Sequence, residues 1–436
     1  MFRFLVLFAT IILSQGVANA TVWDDVNTWS PEWEARYSEW VYNEWQADFF
    51  SRKTLPNGQS NPYYGLRADC ADTVYSMRII FSFENKLPFV IKDPTASNRT
   101  ITNKMARWKG QDERSRIRNF LVYIYNVAST ASLPADTYPV ALNRAAVKSG
   151  GMMTTTQKNH HSWTIKQILP IGVPHFVYNS VVGANSSSEL KERKSWPNPG
   201  WVFEGNFSAS SHAGFKYWKP AAYVLRPAWE VPGYSEEQYK IPLGKWNSTV
   251  QKKLALRTET DDQMIQRLLA TVCEGLAGRV PAVNDALNYS KSNLKCMDYP
   301  VYDTYSTPNR DRRVFDDFLD LRRAYRELLD VNGGNELSPL LKGQLDKIFP
   351  AINSSAQVET QRMPVSNIDS FSTCTTSYAP QKAMDLAEFK RRLFAGLISN
   401  NPHDALEYRW GELRGPSQRA KLCRSWDHWS PNLTAE

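Results

Sequence analysis

Five cysteines, Cys70, Cys273, Cys296, Cys374 and Cys423, restrict the organisation of this chain more than any other feature. One lies in the N-terminal half and four in the C-terminal half. The first twenty residues, MFRFLVLFATIILSQGVANA, set Arg3 ahead of an apolar run and end in Ala-Asn-Ala, the pattern of an export signal. Exported chains normally pair their cysteines. The odd count therefore predicts two disulfides among Cys273, Cys296, Cys374 and Cys423, with Cys70 left as a free thiol. Sequence leaves the pairing of those four open.

Length predicts two domains or three at roughly 100–200 residues each. An apolar content of 42% and a charged content of 22% are those of a globular chain. The formal charge is +8, or +7 without Arg3, a diffuse excess that suits anionic envelope polymers as partners. No Lys/Arg block is interleaved with aromatics, which argues against nucleic acid. The apolar run from Phe4 to Leu13 is too short to span a bilayer, and no later stretch reaches the roughly 20 residues needed. The expected location is periplasmic or extracellular.

Ser30-Pro31-Glu32 is a helix start, with a serine cap and a proline in the first turn. Trp33, Tyr37, Trp40, Val41 and Trp45 follow at helical spacing, an aromatic stripe read as core. A second helix is expected from Asp112 to Val127. The segments HSWTIKQIL and VPHFVYNSVV alternate as strands and are joined by Pro170-Ile171-Gly172, a β-hairpin. Beyond about residue 240 the pattern turns helical. Ile265, Leu268, Leu269, Val272 and Leu276 share a face, as do Phe315, Phe318, Leu319, Tyr325 and Leu328, and Leu386, Phe389, Leu393 and Leu397. Asn332-Gly333-Gly334 reads as a helix stop. The expected organisation is an α+β domain over 21–240 and a mainly helical, disulfide-bearing domain over 241–436.

Cys70 lies in GLRADCADTVYSMRIIFSFENKLPF, where a loop turns into a helix. With Asp69 as N-cap and Asp72 completing a capping box, the cysteine occupies the first turn. The positive end of the helix dipole there favours thiolate, the two carboxylates oppose it, and an imidazolium partner would decide the balance. His161 opens the strand of NHHSWTIKQIL and is the expected base. Asn179, on the returning strand, is the expected orienting group.

The order Cys, His, polar residue resembles the papain-like superfamily, in particular its transglutaminase-like and NlpC-type branches. HSWTIKQI is similar to the transglutaminase-like histidine strand, CADTVYSMRIIFSFENKLPF to its cysteine helix, and ADCAD to the Asp-Cys-Ser of NlpC-type cell-wall endopeptidases. The resemblance covers residues 60 to 185, and Asn179 stands where transglutaminase-like chains usually have aspartate. It implies an antiparallel sheet and acyl transfer through a thioester, by hydrolysis or by cross-linking. Cys70 would attack an amide carbonyl of a peptide, with a peptidoglycan stem as the expected substrate, while His161 moves the proton. The backbone N–H of Cys70 and a loop donor, with Tyr64 as candidate, would hold the oxyanion. No cofactor is implied. Neither His-Glu-x-x-His nor Cys-x-x-Cys occurs, so no metal site is expected.

Competing readings stand beside this one. Cys70 shares a helix face with Val74, Met77 and Phe81, as an inert buried cysteine does. The protein would then be a non-catalytic envelope-binding protein that keeps a papain-like fold without its chemistry.

Overall fold

The computed structural model describes residues 21–179, 188–205, 213–355, 357, 368, 372–426 and 428–433. The expected export signal over 1–20 lies outside the described residues.

Capping chemistry starts the first helices. Ser30 is extended and its hydroxyl accepts the Trp33 N–H, with Pro31 opening α1 (Pro31–Glu44). Asp69 and Asp72 form a reciprocal capping box on α2 (Cys70–Glu84). A small hairpin, β1 (Val90–Lys92) and β2 (Thr100–Thr102), precedes α3 (Glu113–Val127), which Asp112 caps. The short α4 (Leu133–Asp136) leads into the main sheet. Its strands are β3 (Thr137–Pro139), β4 (Met152–Thr154), β5 (Ser162–Ile168), β6 (Pro174–Tyr178), β7 (Lys191–Arg193) and β8 (Gly214–Trp218), and α5 (Pro199–Val202) lies between the last two. The sheet order is β3-β8-β4-β5-β6-β7, antiparallel throughout, so the α+β class and the antiparallel sheet are as expected.

Every residue of α2 from Cys70 to Phe83 is buried, so this helix has no solvent face. Its polar groups are satisfied locally. Arg78 forms a two-pronged ion pair with Glu34, Tyr75 donates to Asp136 at 2.7 Å, and Ser76 meets the Tyr125 hydroxyl at 2.6 Å. Trp23 and Trp45 of the first stretch are core. Trp29, Trp33, Tyr37 and Trp40 all pack on Phe81, with ring centroids 5.2–6.4 Å away.

The β5–β6 hairpin turns at Gly172, whose φ of +84° is left-handed. A Cβ there would lie 2.2 Å from the Gln251 carbonyl oxygen on α6 (Trp246–Leu254). Glycine is therefore needed for both the turn and the docking of α6.

The buried apolar side chains divide into two clusters, one from Val22 to Leu254 and one from Ile265 to Trp410. Trp246, Val250 and Leu254, which lie beyond residue 240, belong to the first. The second is built on α7 (Asp261–Ser292), α8 (Tyr299–Tyr305), α9 (Pro308–Asn332) and α10 (Pro339–Ile348). A hairpin of β9 (Thr376–Ala379) and β10 (Lys382–Met384) and the helices α11 (Leu386–Phe394), α12 (Leu406–Arg409) and α13 (Gln418–Leu422) complete it. Gly333 ends α9 in the left-handed conformation, φ +67°. Helices α7 and α9 meet closely at Gly275, where a Cβ would come within 2.5 Å of Val314. Arg279 and Asp311 join them by a fully buried, two-pronged ion pair with an Nε–Oδ1 distance of 2.8 Å.

Cys273 pairs with Cys374 and Cys296 with Cys423, at Cα separations of 5.4 and 5.5 Å, and Cys70 is free. Among the described residues no helix is long and apolar enough to cross a membrane.

This framework makes three predictions. Thiol titration of the denatured protein should give one reactive group without reductant and five after reduction. The Cys296→Ser/Cys423→Ser double variant should then lose about 2–5 kcal/mol in denaturant unfolding, because that bond closes a long loop. Gly172→Ala should cost about 2–4 kcal/mol, from left-handed strain plus the collision with α6, and should lower the thermal midpoint.

Candidate functional site

The first turn of α2 does not offer Cys70 the free donors that a thiolate needs. The N–H groups of Ala71 and Asp72 both donate to the Asp69 carboxylate at 2.9 Å, so the cap has taken them. The thiol is 3% exposed, with Sγ 3.3 Å from the Thr130 hydroxyl and 3.7 Å from the His160 carbonyl. Burial first, and the neighbouring Asp69 carboxylate second, push it up to about 11. The Asp72 carboxyl is pushed up to about 8 by burial and by Asp69, which favours a proton on that pair at neutral pH.

His161 lies on the far face of the sheet. The next residue, Ser162, donates its hydroxyl to the Cys70 carbonyl at 3.0 Å, which turns Ser162 toward α2. Side chains alternate along a strand, so His161 and Trp163 point away from it. The imidazole packs edge-on against Trp163, centroids 4.5 Å apart, with Tyr178 at 5.9 Å and Trp201 at 5.7 Å. Its Nε2 is buried and has no hydrogen-bond partner. Burial and the cations Arg313, Arg193 and Lys191 hold this imidazole well below its usual range, so it is neutral.

Asn179 lies on the α2 side. Its amide donates to the Ala68 carbonyl at 2.6 Å, bracing the approach to the cysteine helix. Tyr64 is 44% exposed, and its N–H donates to the Asn61 carbonyl. The structure therefore places Cys70 and Asn179 on one side of the sheet, His161 on the other and the Tyr64 ring in solvent. Thiol and imidazole are not hydrogen-bonded. Thr130, His160 and Ser162 surround the thiol, and the first two carried no sequence signal for that place. His160 has a left-handed φ of +42°, which a strand-opening pattern does not announce.

The face that carries His161 also carries a cluster of cations. Strand register pairs Tyr178 with Lys191 and Phe176 with Arg193, which puts Lys191 and Arg193 on the His161 side. Opposite them α9 presents Arg310 and Arg313, one turn apart. Together with Tyr178 on β6 and Gly275 and Gly278 on α7, these residues line a cleft of about 300 Å³ between the two cores.

The charges in the cleft are unequally matched. Arg193 is paired with Asp317 at 3.0 Å, and Glu192 with the His175 ring at 2.8 Å. Arg310 donates to the Gly278 carbonyl at 3.0 Å, and the Arg313 guanidinium lies 6.0 Å from the Trp201 ring centroid. Among the described residues Lys191, Arg310 and Arg313 have no carboxylate within ion-pair distance, and Glu274 is the remaining acid on the wall. Burial, then Arg310 and Arg313, push the Lys191 ammonium down to about 7. Burial and Arg313 push Arg310 down to about 10. Repulsion between these groups is relieved by an anion. Sequence reading missed the cluster because Lys191 and Arg310/Arg313 are distant in the chain, and each short basic run is interrupted by an acid, Glu192 or Asp311.

A larger, open cleft of about 790 Å³ lies on the surface of the second unit beside His403, Asp404 and Arg419. Its polar groups are partly engaged in local structure, while the His403 Nδ1, the Ser290 hydroxyl and the Arg419 Nε are buried without a hydrogen-bond partner. The His403 Nε2 accepts the Met297 N–H, and Asp404 accepts the Ser417 N–H. Among the described residues no three His, Cys, Asp or Glu side chains come together as metal ligands.

Comparison of the chain with protein-family models, with curated proteins and with solved structures gives no match.

Proposed function

We propose that this is an exported binding protein of the cell envelope, in which a papain-like core is kept without thiol chemistry and anionic polymers are the ligands. The observation that carries this reading is the surroundings of Cys70. Its sulfur meets a hydroxyl and a carbonyl, the helix-end donors are taken by Asp69, and the nearest strand turns its imidazole to the opposite face. A nucleophilic cysteine needs a base within hydrogen-bond reach or a lowered pKa, and Cys70 has neither. The two disulfides support an oxidising compartment. The basic charge and the cationic cleft support an anionic ligand.

Thiol alkylation tests the reading. At pH 7.5 iodoacetamide should label folded protein roughly 100-fold more slowly than unfolded chain, since a thiol raised by about two pH units carries that much less thiolate. His161→Ala should leave the rate unchanged. Rapid labelling at neutral pH that His161→Ala suppresses would restore the thiol-enzyme reading and sink this one.

A stability measurement gives the same information independently. The thiol holds its proton more tightly when folded, so its contribution is complete below pH 9 and is lost as the pH rises through 11. The stability difference between wild type and Cys70→Ala should therefore shrink over that interval, by roughly 2–3 kcal/mol.

A further inference from the structure

We infer that the cleft between the β6–β7 edge of the sheet and helices α7 and α9 is a binding site for a phosphate group, held by Lys191, Arg310, Arg313 and the Tyr178 hydroxyl. The inference rests on the envelope-binding reading for its ligand class and names the part of the molecule that does the binding.

Three observations carry it. First, the cations converge from separate elements, Lys191 from the sheet and Arg310 and Arg313 from α9, and no carboxylate pairs with any of the three among the described residues. Elsewhere on α9 the chain does pair its buried charges, as Asp311 with Arg279 and Asp317 with Arg193. Second, the buried imidazole behind the same strand edge, His161, has an Nε2 without a partner and is kept neutral by its burial first and by Arg313, Arg193 and Lys191 second, so it adds no charge to the cluster. Third, a volume near 300 Å³ is at the small end for ligand sites, enough for one phosphate with an attached small group and too small to enclose a polymer. Arginine presents the planar fork that matches phosphate oxygens, and lysine adds a point charge.

The acids of the wall leave room for this ligand. Glu192 is tied to His175, Asp317 is tied to Arg193, and Glu274 lies at the exposed edge. The groups facing Lys191 are Arg310 and Arg313 from α9, Tyr178 from β6, Glu274 from α7 and Glu189 from its own segment. An anion that enters among them favours the charged ammonium, so binding draws a proton onto Lys191.

Titration calorimetry of the full disulfide-bonded protein with inorganic phosphate and with glycerol 3-phosphate tests the site. One phosphate should bind per chain, with affinity that falls as salt rises. At pH 8, titrations in buffers of different ionisation heat should show uptake of about one proton per ligand, since Lys191 is mostly neutral before binding. Lys191→Gln should abolish the uptake and weaken binding about tenfold or more. Arg313→Gln should weaken binding similarly without lowering the thermal midpoint, because it removes repulsion in the empty cleft; a purely structural arginine would lower it. Absence of binding at millimolar phosphate, or binding that both variants leave unchanged, overturns the inference. The outcome is independent of the thiol test. An empty cleft with an inert Cys70 refutes this site alone, whereas a reactive Cys70 with a working cleft refutes the non-catalytic reading and leaves the phosphate site in place.

Discussion

The hydroxyl of Ser162 on the carbonyl of Cys70 fixes how the sheet faces the buried helix, and most of what the molecule can do follows from that phase. A strand has a period of two, so choosing Ser162 for the helix side commits His161 and Trp163 to the other side. Thr164 repeats the choice one step on, accepting the Trp45 indole N–H from the α1 side. The strand is held in this setting at two buried polar contacts. Rotating it to bring the imidazole to the thiol would break both and drive Trp163 into α2. The separation of Cys70 from His161 is therefore a property of the packed core.

Helix α9 shows how a single element divides its charges. Asp311 faces α7 and meets Arg279 with both partners out of solvent, an arrangement whose loss would strand a buried charge. Arg310 and Arg313 sit on the face turned to the sheet, where the matching positions, Lys191 and Arg193, are also cationic. Only Arg193 finds an acid there. A stability-driven interface between two cores would alternate signs across this gap. The like-signed walls make sense for a gap that is filled by something negative.

The local parts of the fold were legible in sequence because their causes are local. Ser30, Asp69 and Asp112 cap the helices they precede, Gly333 ends α9, and the Pro170–Gly172 turn joins two antiparallel strands. Of the N-terminal tryptophans Trp23 and Trp45 are core, and Trp29, Trp33 and Trp40 are half-buried against it. The alternation of HSWTIKQIL was equally visible, but alternation gives two faces without saying which one meets α2. That decision lies with the Ser162–Cys70 and Trp45–Thr164 contacts, each across more than ninety residues, and it turns His161 away from Cys70. The cationic cleft was hidden for a related reason, since β7 and α9 contribute two short basic pieces, far apart in the chain, that only tertiary packing unites.

Covalent structure and the cleft also meet on α7. Cys273 immediately precedes Glu274 and Gly275 on the cleft wall, and its bond to Cys374 ties that turn to the segment leading into β9. Gly275 lets α7 approach Val314 of α9 closely, so the spacing of the two helices is set within one turn of the cross-link. The arginines opposite Lys191 are carried by α9, and their separation from it depends on that spacing. The Cys273–Cys374 bond thus fixes α7 to the segment before β9, while the α7–α9 spacing beside it is held by Gly275 against Val314 and by the buried Arg279–Asp311 pair.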